Sequence, residues 1–254
     1  MLELYNAAHS TCSQKVRLCL HEKGLSWKDH FLDLGKKDQL DPKYLKLNPN
    51  GVVPTLVHDG AVITDSSAIC EYLDEVFPVP RLTPKCAVER AKMRSWMRYC
   101  EEVPTAAVRV PSFNMAFLSR FNGQDDAAFM AEEAAPRPIR KYFFQKMGRE
   151  GFDPASVNQA LEQLNQTASR ISRALDENGG PWIMGAEFTL ADIIVAPLID
   201  RMTDLGWESL WVEFSNVTTW YEQIAKRQSF EKTFYPGSRL SEFLDITRLE
   251  RHVD

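Results

Sequence analysis

The chain has 254 residues, of which 44% are hydrophobic and 26% are charged. These values are typical of a globular protein with one large domain or two ordinary ones. The net charge of −5 and the pI near 5.6 disfavour nucleic acid as a partner. No apolar run reaches the roughly 18–20 residues of a membrane span, and the first residues lack the basic and apolar regions of a signal peptide.

The cysteines indicate a reducing environment. All five lie in the first hundred residues, at Cys12, Cys19, Cys70, Cys86 and Cys100. Their number is odd, and they show neither a CxxC pair nor the Cys/His spacing of a metal site. We therefore expect free thiols, no bound metal and a cytoplasmic location.

The chain opens with alternating strand and helix patterns. Leu2 to Tyr5 alternates and predicts a strand, and His9 to Ser13 forms a polar loop before an amphipathic helix that ends at Gly24. A second strand is expected from Trp27 to Leu34. This order predicts a parallel pair of strands joined by a helix.

Residues 48–73, NPNGVVPTLVHDGAVITDSSAICEYL, organise the first half of the chain. Pro54 cannot donate to a strand ladder and should begin a strand. Asp59-Gly60 between apolar runs predicts a tight hairpin. Asp65 and Ser66 are both candidate N-caps for the helix that follows. The segment therefore predicts a β-β-α unit.

The second half contains only helical patterns. A basic helix from Val88 should pass Glu102 and be kinked or broken at Pro104 and Pro111. Residues 122–150 are irregular and are interpreted as an insertion between two helices.

Three later features complete the helical half. Asp153-Pro154 should open a long helix that stops at Gly179, and Thr189 with Asp192 predicts a structural capping box. A further helix is expected over 214–227, and Leu240, Phe243 and Leu244 should anchor the polar tail. We predict a thioredoxin-like α/β domain over 1–78, a proline-rich linker over 79–86 and an all-helical domain over 87–254.

The segment VVPTLVHDGAVITDSSAICEYL resembles the glutathione-binding signature of the glutathione S-transferase family. The resemblance extends through NPNGVVP, AKMRSW and FTLADI over nearly the whole chain. It implies the glutathione S-transferase fold, glutathione as co-substrate, a hydrophobic second substrate, and a two-fold dimer with an identical or a related partner.

The resemblance also assigns glutathione-binding residues. In the family, the residue before a cis-proline pairs with the cysteinyl backbone of glutathione, and an acidic-Ser pair holds the γ-glutamyl end. These roles fall on Val53, before Pro54, and on Asp65 and Ser66. Two further positions have alternative interpretations. Gln39 matches positions that reach the glycyl or cysteinyl region but also fits a solvated loop, and Val52 stands where many members carry Lys or Gln.

The catalytic task is to keep glutathione as a thiolate at neutral pH. A free thiol titrates near ~8.5, and lowering its pKa by two units needs about 2.7 kcal/mol. A hydroxyl hydrogen bond to the sulfur supplies roughly 1.5–3 kcal/mol, and the N-terminus of a helix adds roughly 0.3–1 kcal/mol. Ser10 stands where related classes place their catalytic residue, with Thr11 and Ser13 close by. Ser13 also fits an ordinary N-cap, and Cys12 is the alternative nucleophile.

The insertion after the first C-terminal helix is similar to that of bacterial glutathione S-transferases that cleave β-aryl ethers of lignin-derived dimers. This similarity implies attack by the thiolate beside a ketone, with release of a phenol. The alternatives are a glutathione-dependent thiol reductase or peroxidase that uses Cys12, and a non-catalytic subunit that acts as a dimer partner. The candidates for an apolar acceptor pocket are Trp96, Tyr99, Val103, Phe113, Met115, Phe117, Lys141, Tyr142 and Phe143.

Overall fold

The structure, a computed structural model, describes residues 1–242. Its strands are β1 (Leu2–Asn6), β2 (Lys28–Phe31), β3 (Thr55–His58) and β4 (Ala61–Thr64). Its α-helices are α1 (Thr11–Glu22), α2 (Pro42–Leu47), α3 (Ser66–Val76), α4 (Ala87–Glu102), α5 (Pro104–Ala107), α6 (Arg109–Ala116), α7 (Asp126–Phe129), α8 (Lys141–Met147), α9 (Pro154–Glu177), α10 (Leu190–Asp204), α11 (Ser215–Ala225) and α12 (Gln228–Thr233). None of the helices in this range is long and apolar enough to cross a membrane.

The four strands form one sheet in the order β2-β1-β3-β4. β1 pairs in parallel with β2 and antiparallel with β3, and β4 returns antiparallel to β3. Asp59 and Gly60 have φ values of 49° and 87°, as a two-residue hairpin turn requires. The predicted β-α-β and β-β-α order is therefore confirmed, and α1 and α3 pack against each other and against α10.

β2 is shorter than the strand predicted over 27–34. Its pairing stops at Phe31, and after it the Leu32 N–H donates to the carbonyl of Asn6 at 2.8 Å. The Asp33 side chain then accepts the N–H of Gly35 at 2.8 Å. This bond between a side chain and the backbone two residues ahead forms a turn that competes with the extended conformation.

The two prolines after α4 act differently. α4 ends at Glu102 and Pro104 begins α5, so the predicted break at this proline is confirmed. Pro111 causes no break, because it is the third residue of α6. An N–H at that position has no partner inside the helix, and its loss costs no helical hydrogen bond.

The insertion over 122–150 is more ordered than its sequence indicates. It contains α7, a π-helical turn at Met130–Ala134 and α8. Its buried residues form a separate small core with flanking side chains, made of Phe121, Phe129, Ala134, Phe144, Met147 and Phe152. The helices are too short to show a 3.6-residue period, which explains why the pattern was missed.

The later helix starts follow the predicted caps. The Asp153 side chain accepts the N–H of Ser156 at 2.9 Å, with Pro154 at the first helical position. Asp192 is fully buried and accepts from the N–H of Thr189, the N–H of Ile183 and the indole of Trp220, each at 2.9 Å. The capping box therefore also joins α10 to α11.

The main core runs through both halves of the chain, from β1 and α1 to α10 and α11. Leu240 is buried as predicted, and the other two tail anchors, Phe243 and Leu244, lie outside the described residues. The boundaries at residues 78 and 87 stay a prediction.

Candidate functional site

Ser10 caps helix α1 and lines a cleft in the described part of the chain. Its hydroxyl oxygen accepts the N–H of Ser13 at 3.3 Å, as an N-cap does. Ser10 is half-buried and lines the cleft together with Thr11 and Cys12. The N–H groups of Thr11 and Cys12 have no partner within the helix. The hydroxyl-bearing residues Ser10 and Thr11 and the positive end of α1 therefore lie together at the cleft.

Ser13 lies in a different environment. It is fully buried, and its hydroxyl oxygen accepts the N–H of Ala7 at 3.2 Å. It does not line the cleft. Of the two serines, Ser10 is the helix cap and lies at the cleft, while Ser13 fixes the loop before the helix.

A buried charged network lies behind Cys12. The ammonium of Lys15 donates to Glu101 at 2.6 Å and to Thr105 at 3.0 Å, and Ser67 donates to the same carboxylate at 2.8 Å. Burial disfavours the charged lysine, but Cys12 and Glu101 outweigh it and raise the pKa of Lys15. Cys12 is half-buried in the cleft beside this cation. The sequence reasoning missed the network, because its residues are dispersed over α1, α3, α4 and α5.

The remaining thiols differ from Cys12. All five cysteines are free. Burial raises the pKa of Cys70, and raises that of Cys100 to about 12, so both stay protonated and unreactive at neutral pH. Cys86 is exposed at the start of α4 and does not line the cleft.

The Val53-Pro54 peptide bond is cis. The carbonyl of Val52 is held by the Tyr44 hydroxyl at 2.6 Å and the Asn48 amide at 2.9 Å. Among the described residues no hydrogen bond occupies the N–H or the C=O of Val53. Both Val52 and Val53 line the cleft, so an extended peptide can pair with the free backbone of Val53.

Asp65 and Ser66 lie at the start of α3. Asp65 is the N-cap, with φ of 72°, and its carboxylate accepts the N–H groups of Ser67 and Ala68, each at 3.0 Å. Ser66 is buried. Neither residue lines the cleft itself. Of the two predicted N-cap candidates, Asp65 is therefore the cap, and its carboxylate binds the backbone of α3.

Gln39 lines the cleft on the sheet side. The residue is buried, and its Oε1 has no hydrogen-bond partner within residues 1–242. A buried acceptor of this kind is available to a ligand N–H. Among the described residues, no group of three or more His, Cys, Asp or Glu is arranged to hold a metal ion.

An apolar wall made of Phe113, Phe117 and Phe143 lines the same cleft as Ser10. The ring of Phe113 contacts that of Phe117 at a centroid distance of 4.9 Å and that of Phe143 at 5.0 Å. The cleft has a volume of about 650 Å³, within the range of small-molecule sites.

The other predicted acceptor residues lie away from the cleft. Trp96 and Tyr99 pack edge to face, and the Tyr99 hydroxyl bonds Thr167 at 2.8 Å. Met115 contacts the indole of Trp207. The rest of this set consists of Val103 at the end of α4 and the exposed residues Lys141 and Tyr142. Helical spacing alone did not separate core aromatic residues from cleft ones.

Cationic side chains that the sequence reasoning missed also line the cleft: Lys37, Arg109, Arg120, Arg137, Arg140 and Arg201. His9 lines it as well, and its ring lies 5.8 Å from that of Phe117. Burial and the charges of Arg201 and Arg120 lower the pKa of His9 to about 4. This imidazole is therefore neutral at physiological pH.

Comparisons with known proteins identify the family of this chain. The family descriptions "Glutathione S-transferase, N-terminal domain" and "Glutathione S-transferase, C-terminal domain" match residues 9–76 and 154–223. Glutathione S-transferase 1 of Dianthus caryophyllus is 30% identical over 96% of this chain and 95% of its own length.

Two comparisons point to one bacterial relative. Protein LigF of Sphingobium sp. strain SYK-6 is 29% identical over 94% of this chain and 95% of its own length. The crystal structure of β-etherase LigF superposes with a TM-score of 0.82 at 26% identity, over 92% of this chain and 98% of that one. A tetrachloro-p-hydroquinone reductive dehalogenase of Sphingobium chlorophenolicum is 27% identical over 91% of this chain and 94% of its own length. From its two matched domains and its relatives, this chain belongs to the glutathione S-transferase family.

Proposed function

We propose that this transferase joins glutathione to an aromatic acceptor by cleaving a β-aryl ether next to a ketone. The observation that carries the proposal is one cleft of about 650 Å³ that contains both the Ser10 hydroxyl and the phenylalanine wall. The similarity to β-etherase LigF supports the ether as the bond that breaks.

Glutathione binds in this proposal along the sheet side of the cleft. The free N–H and C=O of Val53 pair with its cysteinyl residue, and its γ-glutamyl end reaches beyond the cleft to the start of α3 at Asp65 and Ser66. Gln39 and Val52 contact the glycyl side. The sulfur then lies near Ser10, at the end of α1.

The reaction forms one bond and breaks one. Glutathione loses its thiol proton to solvent, and Ser10 donates a hydrogen bond to the resulting thiolate. The sulfur attacks the carbon that bears the aryloxy group, and the carbon–oxygen bond breaks as the aryloxide departs with the electron pair. The aryloxide takes a proton to become a phenol, and glutathione remains on the other fragment as a thioether. The neighbouring ketone makes the carbon electrophilic, and Phe113 and Phe143 align the rings.

Product analysis with glutathione and an α-keto β-aryl-ether dimer tests the proposal. Release of the phenol together with the glutathione thioether supports it. Turnover of a halo-aromatic acceptor without ether cleavage retains a transferase and refutes the etherase.

Cys12 supports a second candidate, a glutathione-dependent thiol reductase. It lines the cleft, and the buried ammonium of Lys15 lies one helical turn further along α1. In that reaction Cys12 attacks a disulfide substrate and releases one thiol. One glutathione then releases the other thiol and leaves a Cys12–glutathione disulfide, and a second glutathione resolves it to oxidised glutathione. Disulfide reduction that is abolished by Cys12→Ser, with ether cleavage absent, would favour this candidate.

We also propose a two-fold dimer, as is usual in the family. Light scattering after gel filtration tests the dimer. A chain that acts only as a silent partner would bind no glutathione, and excess glutathione would then leave its urea midpoint unmoved.

A further inference from the structure

Among the residues that the structure describes, three arginines of the cleft have no carboxylate partner: Arg109, Arg140 and the exposed Arg120. Arg109 is the first residue of α6 and Arg140 precedes α8, and both are half-buried. No ion pair within residues 1–242 involves either guanidinium, whereas Arg137 of the same cleft pairs with Glu133 at 3.0 Å. A desolvated guanidinium without a carboxylate is costly unless an anion binds there.

The surroundings of the two arginines have an excess of positive charge. The charge of Glu101 acts on Arg140, and the charge of Arg109 acts on Glu101. The Glu101 carboxylate, however, already accepts the ammonium of Lys15 at 2.6 Å. Burial and the charge of Arg109 lower the pKa of Arg140 to about 10, so it remains charged at neutral pH. Three cations thus accompany one carboxylate, and that carboxylate is engaged.

Each arginine lies one helical turn from a ring of the acceptor wall. Arg109 and Phe113 are four residues apart along α6, and Arg140 and Phe143 are three apart around the start of α8. Residues at these spacings share one face of a helix, about 5–6 Å apart. An acceptor ring against Phe113 and Phe143 therefore places a substituent within reach of both guanidinium groups.

We propose that Arg109 and Arg140 bind a carboxylate carried by the aromatic acceptor, so that the preferred acceptors are aromatic carboxylic acids. The inference rests on the proposed transfer of glutathione to an aromatic acceptor. The planar donor fork of arginine matches a carboxylate in a two-bond arrangement. The carboxylates of glutathione fit less well, because the residues proposed to hold them, Gln39 and the start of α3, belong to the sheet half.

The test compares two α-keto β-aryl ethers that differ only in a ring carboxylate. In Arg109→Gln and Arg140→Gln, KM for the carboxylated ether should rise roughly tenfold to a hundredfold, as loss of a charged hydrogen bond predicts. KM for the neutral ether and the Kd for glutathione, measured by calorimetry, should stay within about twofold. Arg98→Gln is the matched control, because Arg98 is exposed on α4 outside the cleft, and it should change neither KM.

Two outcomes of this comparison overturn the inference. An equal rise in KM for both ethers would show that the arginines stabilise the structure of the cleft and do not bind a carboxylate. A weaker Kd for glutathione in Arg109→Gln or Arg140→Gln would place the anion on glutathione.

A binding experiment keeps the inference testable if neither ether is cleaved and the proposed function fails. The glutathione-loaded protein is titrated with biphenyl-4-carboxylate and with the neutral biphenyl-4-carboxamide. Preference for the acid, lost in Arg140→Gln, supports the carboxylate site. The absence of any preference between the two compounds overturns it.

Discussion

Replacing Ser10 by alanine tests the proposed source of the thiolate. The Ser10 oxygen accepts the Ser13 N–H at 3.3 Å, so the hydroxyl hydrogen is free to donate into the cleft. A hydrogen bond to a charged sulfur is worth roughly 1.5–3 kcal/mol, and one pKa unit corresponds to about 1.4 kcal/mol. Ser10→Ala should therefore raise the pKa of bound glutathione by about one to two units.

The assay is the transferase rate against pH at saturating glutathione, together with the ultraviolet absorbance of the bound thiolate. At pH 7 the rate of Ser10→Ala should fall roughly threefold to twenty-five-fold, because the thiolate fraction falls by that factor when the pKa rises from about 6.5 to between about 7.5 and 8.5. At a pH well above the raised pKa, the rate should return toward the wild-type value. The shift of the absorbance titration should match the shift of the rate profile.

Two variants separate chemistry from folding. The change at Ser10 also removes an N-cap, which costs about 0.5–2 kcal/mol of stability. Ser10→Thr keeps both the cap and the hydroxyl and should retain the wild-type pH profile. Ser13→Ala removes the acceptor for the Ala7 N–H and should lower the urea midpoint without moving the thiolate pKa. A folded Ser10→Ala protein with an unchanged rate profile would refute the assignment of Ser10.

Three further predictions concern other residues. Cys12→Ser should leave ether cleavage within about threefold of wild type; loss of cleavage, measured by phenol release, would move the chemistry to this thiol. The pKa of His9 falls from 6.5 to about 4 on folding, so between these values the unfolded chain binds more protons and stability decreases as the pH is lowered. Between pH 6.5 and 4, His9→Gln should therefore lose less free energy of unfolding than wild type. The difference between the two losses, measured in urea melts, should reach up to about 3 kcal/mol. Equal losses would contradict the lowered pKa. Asp192→Ala leaves buried donors unsatisfied and should cost roughly 3–5 kcal/mol in the same melts, against about 1 kcal/mol for the exposed cap variant Asp153→Ala; similar costs for the two would contradict the network.

The glutathione side of the cleft could be predicted because the turn, hairpin and cap signals that form it each lie within a short segment of the sequence. Pro54 fixes the end of a turn, Asp59-Gly60 determines a hairpin, and Asp65 caps the next helix within a few residues of chain. Each of these signals depends on backbone conformations that few residue types adopt. The same reasoning placed a loop that ends at Ser13 before the first helix, whereas α1 begins at Thr11 and Ser10 is its cap.

The acceptor side could be predicted only in part, because it depends on contacts between distant segments. Phe113 and Trp96 both lie on helices with apolar spacing, yet one lines the cleft and the other packs in the core beside Arg170. The sequence analysis did not single out the cleft arginines. Arg109 and Arg140 line the same cleft only because α6 and α8 both approach the N-terminus of α1.

The insertion joins the two sides of the cleft. Lys37 of the sheet half pairs with Glu133 at 2.7 Å. Gly51 lies under the insertion, since a Cβ added there would meet the Pro138 ring at 3.2 Å and its φ is 61°. The turn before Val52 and Val53 thus requires glycine both for its conformation and for the close approach of the insertion. Because the insertion also includes Arg140 and Phe143, a change that displaces it should disturb acceptor selectivity and glutathione binding together.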